Sequence, residues 1–181
     1  MKILLVYGTT EGHTRRVAAF IADRLSGRGH EVTLAQAAAP GAGPDTGRCD
    51  AVLIAASVHV GRYQRAVIDF VRQHRTAIDA RPNALVSVSL SAAGHADDDV
   101  QGLSRCVARF TADTGWAPRR VVHVAGALRY TAYDLLTRWV MRTIAWRKGA
   151  PTDTRRDHEL TDWDALARFA DAFAQAADAR D

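Results

Sequence analysis

Five short apolar runs alternate with helix-like segments along this chain, and this alternation constrains the fold more than any other feature. The first run, KILLVY, and the third, AVLIAAS, are apolar almost throughout, which is typical of strands buried on both faces. Consecutive parallel strands are joined by crossovers, usually helices. We therefore predict an α/β three-layer sandwich, in which helices cover both faces of an open five-stranded parallel sheet. The predicted strands cover residues 2–7, 30–36, 51–57, 83–91 and 121–127.

The helices are predicted from apolar residues at helical spacing and, for the last helix, from a capping signal. The first three cover residues 14–25, 64–75 and 100–114. Thr161 is predicted as the N-cap of the last helix, with Asp162 in its first turn. The remaining connection of about 30 residues is far longer than the usual one of about 4 to 6. We expect a single domain, residues 1–181, with an insertion at 128–159.

The composition is that of a globular protein, with 48% hydrophobic and 24% charged residues among 181. There is no signal-peptide pattern and no apolar run of about 18 residues, so we expect a cytoplasmic chain that does not span a membrane. Two isolated cysteines predict inert thiols and no disulfide, and no spacing of His, Cys, Asp and Glu predicts a metal site.

Positive charge is concentrated in residues 119–149, which contain seven basic residues and one acid. This stretch carries +6, and the rest of the chain carries −2. Such asymmetry indicates an anionic partner, either a membrane surface, an acidic small molecule or nucleic acid. A solvated basic face explains the same charge without any partner.

The turn after the first strand is small and rich in hydroxyl groups. It reads Gly8, Thr9, Thr10, Glu11, Gly12, His13, Thr14. In parallel sheets, ligands bind beyond the carboxyl ends of the strands. Three hydroxyls, two glycines and the free N–H groups of the next helix suit a terminal phosphomonoester, although no P-loop lysine is present. The alternative is a plain connector in which Thr10 or Thr14 caps the helix.

Two further strand ends are small and carry hydroxyl groups. The loop after the third strand contains Ser57, Val58, His59, Val60, Gly61 and Tyr63. The loop after the fourth contains Ser89, Leu90, Ser91, Ala92 and Ala93. All three loops should converge on one rim of the sheet. A phosphate on the first loop and a planar ring between the other two describe flavin mononucleotide (FMN) in a flavodoxin-like domain.

Several motifs resemble those of the flavodoxin-type, menaquinone-dependent protoporphyrinogen IX dehydrogenases. They are TTEGHT, ASVHVGRY, AGALRY, TDTR and TDW, in family order over nearly the whole chain. The resemblance implies FMN-dependent oxidation of protoporphyrinogen IX to protoporphyrin IX in haem biosynthesis, with menaquinone or another quinone as acceptor. It implies that residues 9–14 bind the phosphate, that residues 57–61 and 89–93 flank the ring, and that Tyr63 stacks nearby.

His59 is the candidate catalytic residue, because a histidine beside the ring can stabilise the reduced cofactor or relay a proton. A solvated loop histidine is the alternative. His13 is expected to contact the phosphate. His123, in the fifth strand, is expected to be a hydrogen-bonded core residue.

Residues 131–148 of the insertion form an amphipathic pattern on a helical wheel. Trp139 and Trp146 lie on the apolar half, and Arg138 and Arg142 lie on the other, which is typical of a helix in a membrane interface. Packing on the parent domain is the alternative. We expect peripheral association with the inner face of the cytoplasmic membrane and no nucleic-acid partner. Arg129, Arg138 and Arg142 are candidates to bind the propionates of the substrate.

Three other functions remain open on the sequence. The first is a flavodoxin-type electron carrier without a substrate of its own, although such carriers are usually acidic. The second is an NAD(P)H:quinone reductase. The third is an interaction domain that keeps the fold but binds no flavin.

Overall fold

The computed structural model describes residues 1–10, 12–37, 44–93, 97–128 and 158–179. Eight strands are present in these ranges: β1 (Lys2–Gly8), β2 (Glu31–Gln36), β3 (Ala51–His59), β4 (Arg62–Tyr63), β5 (Asn83–Ser89), β6 (Val121–Ala125), β7 (Ala127–Leu128) and β8 (His158–Glu159). The helices are α1 (His13–Ser26), α2 (Arg65–Asp79), α3 (Asp97–Thr114) and α4 (Trp163–Asp178). Short 3₁₀ turns occur at Thr46–Arg48 and Leu90–Ala93.

Five strands form a parallel sheet in the order β2-β1-β3-β5-β6. The predicted parallel sheet is therefore confirmed, and β4 adds a sixth strand by pairing antiparallel with the end of β3. β7 and β8 pair antiparallel with each other in a separate ribbon. The strand order reverses between β1 and β3, and the crevice beyond this switch point is where such sheets bind ligands.

Alternate side chains of each central strand are directed to opposite faces, and helices cover both faces. Ile3, Leu5 and Tyr7 of β1 pack with the buried residues of α1 and α4. Leu4 and Val6 pack with those of α2 and α3. Burial on both sides explains the almost continuously apolar sequences of β1 and β3.

α1 and α4 are also joined at the surface by an ion pair. The guanidinium of Arg24 lies 2.8 Å from a carboxylate oxygen of Asp171, and Arg28 contacts the same carboxylate. Hydrogen bonding from Arg24 lowers the pKa of Asp171 to about 2. The C-terminal helix is thus held against the helix that follows the first loop.

Two sequence expectations are wrong. His123 is exposed rather than in the core, because β6 is the last strand of the sheet and pairs only with β5. The N-cap of α4 is Asp162, whose carboxylate accepts a hydrogen bond from the Ala165 N–H at 2.8 Å. Thr161 precedes it, and its hydroxyl donates to the Ala125 carbonyl.

The residues of the insertion for which a role was predicted lie outside the described residues. They are Arg129, Arg138, Trp139, Arg142, Trp146 and those of the TDTR motif. Within the part of the chain that the structure describes, none of the helices combines the length and the hydropathy that crossing a bilayer requires.

Candidate functional site

The three predicted loops begin at one edge of the sheet, because they follow neighbouring parallel strands. Gly8 of β1 is paired with Ala56 of β3, and Ser57 is paired with Val88 of β5. The carboxyl ends of these strands are therefore level with one another. The sequence placed the loops together correctly, since parallel strands end at a common edge.

The first loop ends in a helix N-terminus that has no side-chain cap. Gly12 is the N-cap of α1, with φ of 85°, so neither Thr10 nor Thr14 caps the helix. The Gly12 N–H donates to the Thr9 hydroxyl at 2.9 Å, which closes the turn. Thr10 is exposed and Thr14 is buried, while Glu11 lies outside the described residues. The first N–H groups of a helix have no intrahelical acceptor, so this end can bind an anion.

His13 is bonded to the segment that precedes α4. Its Nε2 lies 2.9 Å from the Thr161 hydroxyl oxygen. That hydroxyl donates its own hydrogen to the Ala125 carbonyl at 2.8 Å, so His13 must carry the proton on Nε2. Its Nδ1 lies 4.0 Å from the Glu159 carboxylate. The His13 side chain thus contacts the segment that precedes α4. Its contact with a phosphate stays a prediction.

Arg16 strengthens the same junction. Its guanidinium lies 3.1 Å from the Glu159 carboxylate and 5.8 Å from the centre of the Trp163 ring. The TDW motif therefore packs against the first turns of α1. Sequence inspection singled out both segments, but not the contact between them.

Gln64 lies between the first and second loops and was missed by the sequence analysis. Its amide is hydrogen-bonded to the Ser57 hydroxyl, and its Oε1 approaches the position that a Cβ on Gly8 would take, at 3.1 Å. This Oε1 is buried and has no hydrogen-bond partner within the described residues. If the amide is turned over, the orphaned atom becomes a donor instead. A hydroxyl satisfies either orientation, so the position suits a polyol chain.

The second loop is a tight hairpin between the paired residues His59 and Arg62. Val60 and Gly61 have φ of 49° and 71°, as in a type I′ turn. Val60 is fully exposed at the tip, and His59 is also exposed. Positive φ is rare for a β-branched residue and indicates backbone strain.

Tyr63 is a core residue, which contradicts the prediction that it stacks beside a bound ring. Its side chain is 6% exposed. Its hydroxyl donates to the Ser87 hydroxyl at 2.8 Å, and its ring lies 4.8 Å from that of Phe110. Burial raises the pKa of Tyr63 to about 12. The alternation of β4 directs this side chain inwards, which the loop sequence did not reveal.

The third loop is a 3₁₀ turn held by Ser89. The Ser89 hydroxyl accepts a hydrogen bond from the Ala92 N–H at 3.2 Å, and the Ser89 backbone carbonyl accepts one from the Gly126 N–H at 3.0 Å. Leu90, Ser91 and Ala92 are half-buried. Ala93 completes the turn.

A cavity of about 400 Å³ lies between the second loop, the third loop and α3. Val58 and Gly61 line it from the hairpin, and Ser89 and Ser91 from the 3₁₀ turn. The structure therefore brings together residues of the two loops that were predicted to flank a ring. The α3 wall was not predicted from the sequence; it consists of Gly102, Leu103, Arg105, Cys106 and Arg109.

Comparison with known proteins identifies the family. A family model described as a flavodoxin domain matches residues 4–155. A protoporphyrinogen IX dehydrogenase [quinone] of Escherichia coli (strain K12) is 32% identical over 178 residues, which cover 98% of this chain and 97% of that protein. The chain belongs to the flavodoxin-type protoporphyrinogen IX dehydrogenase family. The resemblance drawn from the motifs is confirmed.

A second relative with the same name comes from a different organism. The protein of the same name from Leishmania major is 31% identical, over 96% of this chain and 74% of that protein. Among solved structures, oxidised flavodoxin 2 from Bacillus cereus matches with a TM-score of 0.57 and 17% identity, covering 97% of this chain and 99% of that one. The flavodoxin-like fold is thus confirmed, and membership of a flavodoxin-type dehydrogenase family indicates an oxidoreductase that binds a flavin.

Proposed function

We propose that this protein binds FMN at the carboxyl edge of its sheet and oxidises protoporphyrinogen IX to protoporphyrin IX, with menaquinone or another quinone as electron acceptor. The observation that carries the proposal is the 32% identity with the Escherichia coli protein, which covers nearly all of both chains. Haem biosynthesis is the pathway in which this conversion occurs. The site described above supports the proposal because it offers groups suited to the phosphate, the ribityl chain and the ring of FMN.

The phosphate is proposed to bind at the N-terminus of α1. The N–H groups of the first turn, including that of His13, and the hydroxyls of Thr9, Thr10 and Thr14 would hold it, and Glu11 belongs to the same turn. The orphaned end of Gln64 would bond a ribityl hydroxyl, since it lies between the first and second loops. Residues 57–61 and 89–93 would hold the ring in the cavity that they share.

When bound, FMN would supply the redox chemistry, namely the transfer of two electrons from the substrate to a quinone. The chain's own residues bind and orient the reactants. Three rounds, each removing two electrons and two protons, convert the porphyrinogen into the porphyrin. His59 is proposed to relay a proton, as it is exposed at the end of β3 beside the cavity-lining Val58.

The insertion is proposed to contact the inner face of the cytoplasmic membrane, where apolar quinones dissolve. Trp139 and Trp146 would enter the interface, and Arg138 and Arg142 would face anionic headgroups. The protein would then be cytoplasmic and peripherally bound. A Trp139→Asp/Trp146→Asp variant should lose sedimentation with anionic liposomes but keep its flavin, and retained sedimentation would reject this role.

The decisive experiment mixes FMN-loaded protein anaerobically with protoporphyrinogen IX. Flavin absorbance should fall while porphyrin fluorescence rises, and a water-soluble menaquinone analogue should restore the absorbance. The matched control replaces the porphyrinogen with NADPH. Bleaching by NADPH but not by porphyrinogen would indicate an NAD(P)H:quinone reductase. Bleaching by neither, with rapid reduction of cytochrome c by the chemically reduced protein, would indicate an electron carrier.

A further inference from the structure

Two arginines of α3 face the cavity between the second and third loops. Arg105 and Arg109 both line it, together with Ser91 of the 3₁₀ turn and Gly61 of the hairpin. They are four residues apart, so they lie one above the other on a single face of the helix. Both are exposed. The cavity therefore has a polar rim that carries two adjacent positive charges.

Neither arginine has an ion-pair partner in the described part of the chain, although other surface arginines do. Arg16, Arg24 and Arg65 each lie within 3.1 Å of a carboxylate oxygen. Asp113, four residues beyond Arg109, does not pair with it among the described residues. Like charges four residues apart on a helix repel each other. An anionic ligand would relieve that repulsion.

We propose that Arg105 and Arg109 bind the carboxylates of the substrate. This inference rests on the proposed function and identifies the part of the site that recognises the substrate. Protoporphyrinogen IX has two propionates on neighbouring pyrrole rings, and a guanidinium binds a carboxylate through two parallel hydrogen bonds. With one propionate on each arginine, the macrocycle lies across the mouth of the cavity, against the hairpin and the 3₁₀ turn.

This placement explains why the charge is on α3. The loops that are proposed to hold the ring line the same cavity as the two arginines. A substrate anchored by α3 would thus present its pyrrole edge to the ring. It also predicts selectivity, because esterification removes the negative charge of both propionates but leaves the macrocycle intact.

The test compares binding of protoporphyrin IX and its dimethyl ester to FMN-loaded protein, followed by porphyrin fluorescence. Arg105→Gln and Arg109→Gln should each weaken binding of the diacid about tenfold, which is the usual effect of losing one charged hydrogen-bonded contact. Binding of the diester should stay within twofold in both variants. Arg105→Lys/Arg109→Lys should bind the diacid more tightly than Arg105→Gln/Arg109→Gln but less tightly than the wild type, since both charges remain and the paired hydrogen bonds do not.

The matched control is Arg168→Gln, which removes an exposed charge from α4 on the opposite face of the sheet. It should leave both affinities unchanged. Flavin content and circular dichroism verify that each variant is folded. Equal weakening of diacid and diester, or diacid binding that survives in Arg105→Gln/Arg109→Gln, would overturn this inference alone. Wild-type protein that neither oxidises protoporphyrinogen IX nor prefers the diacid would overturn it together with the proposed function.

Discussion

His13 and Thr161 are joined by a hydrogen bond of 2.9 Å although 148 residues separate them. The same Thr161 hydroxyl donates to the carbonyl of Ala125 at the end of β6. One hydroxyl therefore ties the first residue of α1 to the far edge of the sheet. Because α1 begins at the proposed phosphate site, the shape of that site depends on the C-terminal segment.

Replacing Thr161 with valine should weaken this junction. The change keeps the shape but leaves the buried His13 Nε2 without its acceptor, which costs about 1–2 kcal/mol. We expect a similar loss of unfolding free energy in urea, and FMN affinity about tenfold lower by fluorescence titration. Thr161→Ser, which keeps the hydroxyl, is the control and should resemble the wild type. If Thr161→Val bound FMN as tightly as the wild type, this junction would have no influence on cofactor binding.

Gly8 should not tolerate a side chain. An added Cβ would lie 2.3 Å from Cγ2 of Val67, which is fully buried. Overpacking of this kind costs about 1–3 kcal/mol, so Gly8→Ala should lower the urea midpoint accordingly. A second change, Val67→Ala, should recover part of the loss by making space. Gly102→Ala is the contrasting substitution: its Cβ meets open space in a helix, and it should stabilise by about 0.5–1 kcal/mol.

The hairpin tip should become more stable when Val60 is replaced by asparagine. Val60 has φ of 49°, a conformation that asparagine adopts readily and a β-branched residue does not. Val60→Asn should raise the unfolding free energy by about 1 kcal/mol, measured by thermal and urea unfolding. Val60→Thr keeps the β-branch and should show no gain. An equal gain in both variants would mean that the valine's hydrophobic exposure, not its backbone, limits stability.

Tyr63 should make the protein less stable at alkaline pH. Its folded-state pKa is about 12, above the value of about 10 for an unfolded chain. The neutral phenol is thus favoured by folding, so its contribution is complete below pH 10 and is lost as the pH rises to about 12. A difference of about two pKa units corresponds to about 3 kcal/mol.

The loss of stability at alkaline pH should disappear in Tyr63→Phe. The variant should be about 1 kcal/mol less stable at neutral pH, since Ser87 loses its partner, but its stability should change less between pH 10 and 12. Urea unfolding at a series of pH values measures both effects. Tyr7→Phe, which leaves Tyr63 in place, should retain the alkaline loss. An unchanged slope in Tyr63→Phe would assign that loss to another group.

Local patterns were enough to predict the architecture and the edge of the sheet at which the three loops meet. The apolar runs of β1 and β3 could be read as buried parallel strands because burial on both faces leaves no position for polar residues. The three loops could be assigned to one rim because parallel strands end together. The same patterns misplaced His123, since they do not tell which strand lies at the edge of the sheet.

Contacts between distant segments could not be predicted, because they depend on register and on which helices share a face. Tyr63 looks like a loop aromatic in the sequence, but the pairing of β4 with β3 directs it towards Ser87 and Phe110. Gln64 lies beside Gly8, and Arg105 lines the same cavity as Gly61. Both arrangements result from how the connecting helices pack against the sheet. The strands themselves and the edge at which their loops meet are thus encoded locally, by periodicity and strand ends, whereas the strand order is not. The partners of His13, Tyr63 and Gln64 are decided by packing across the sheet.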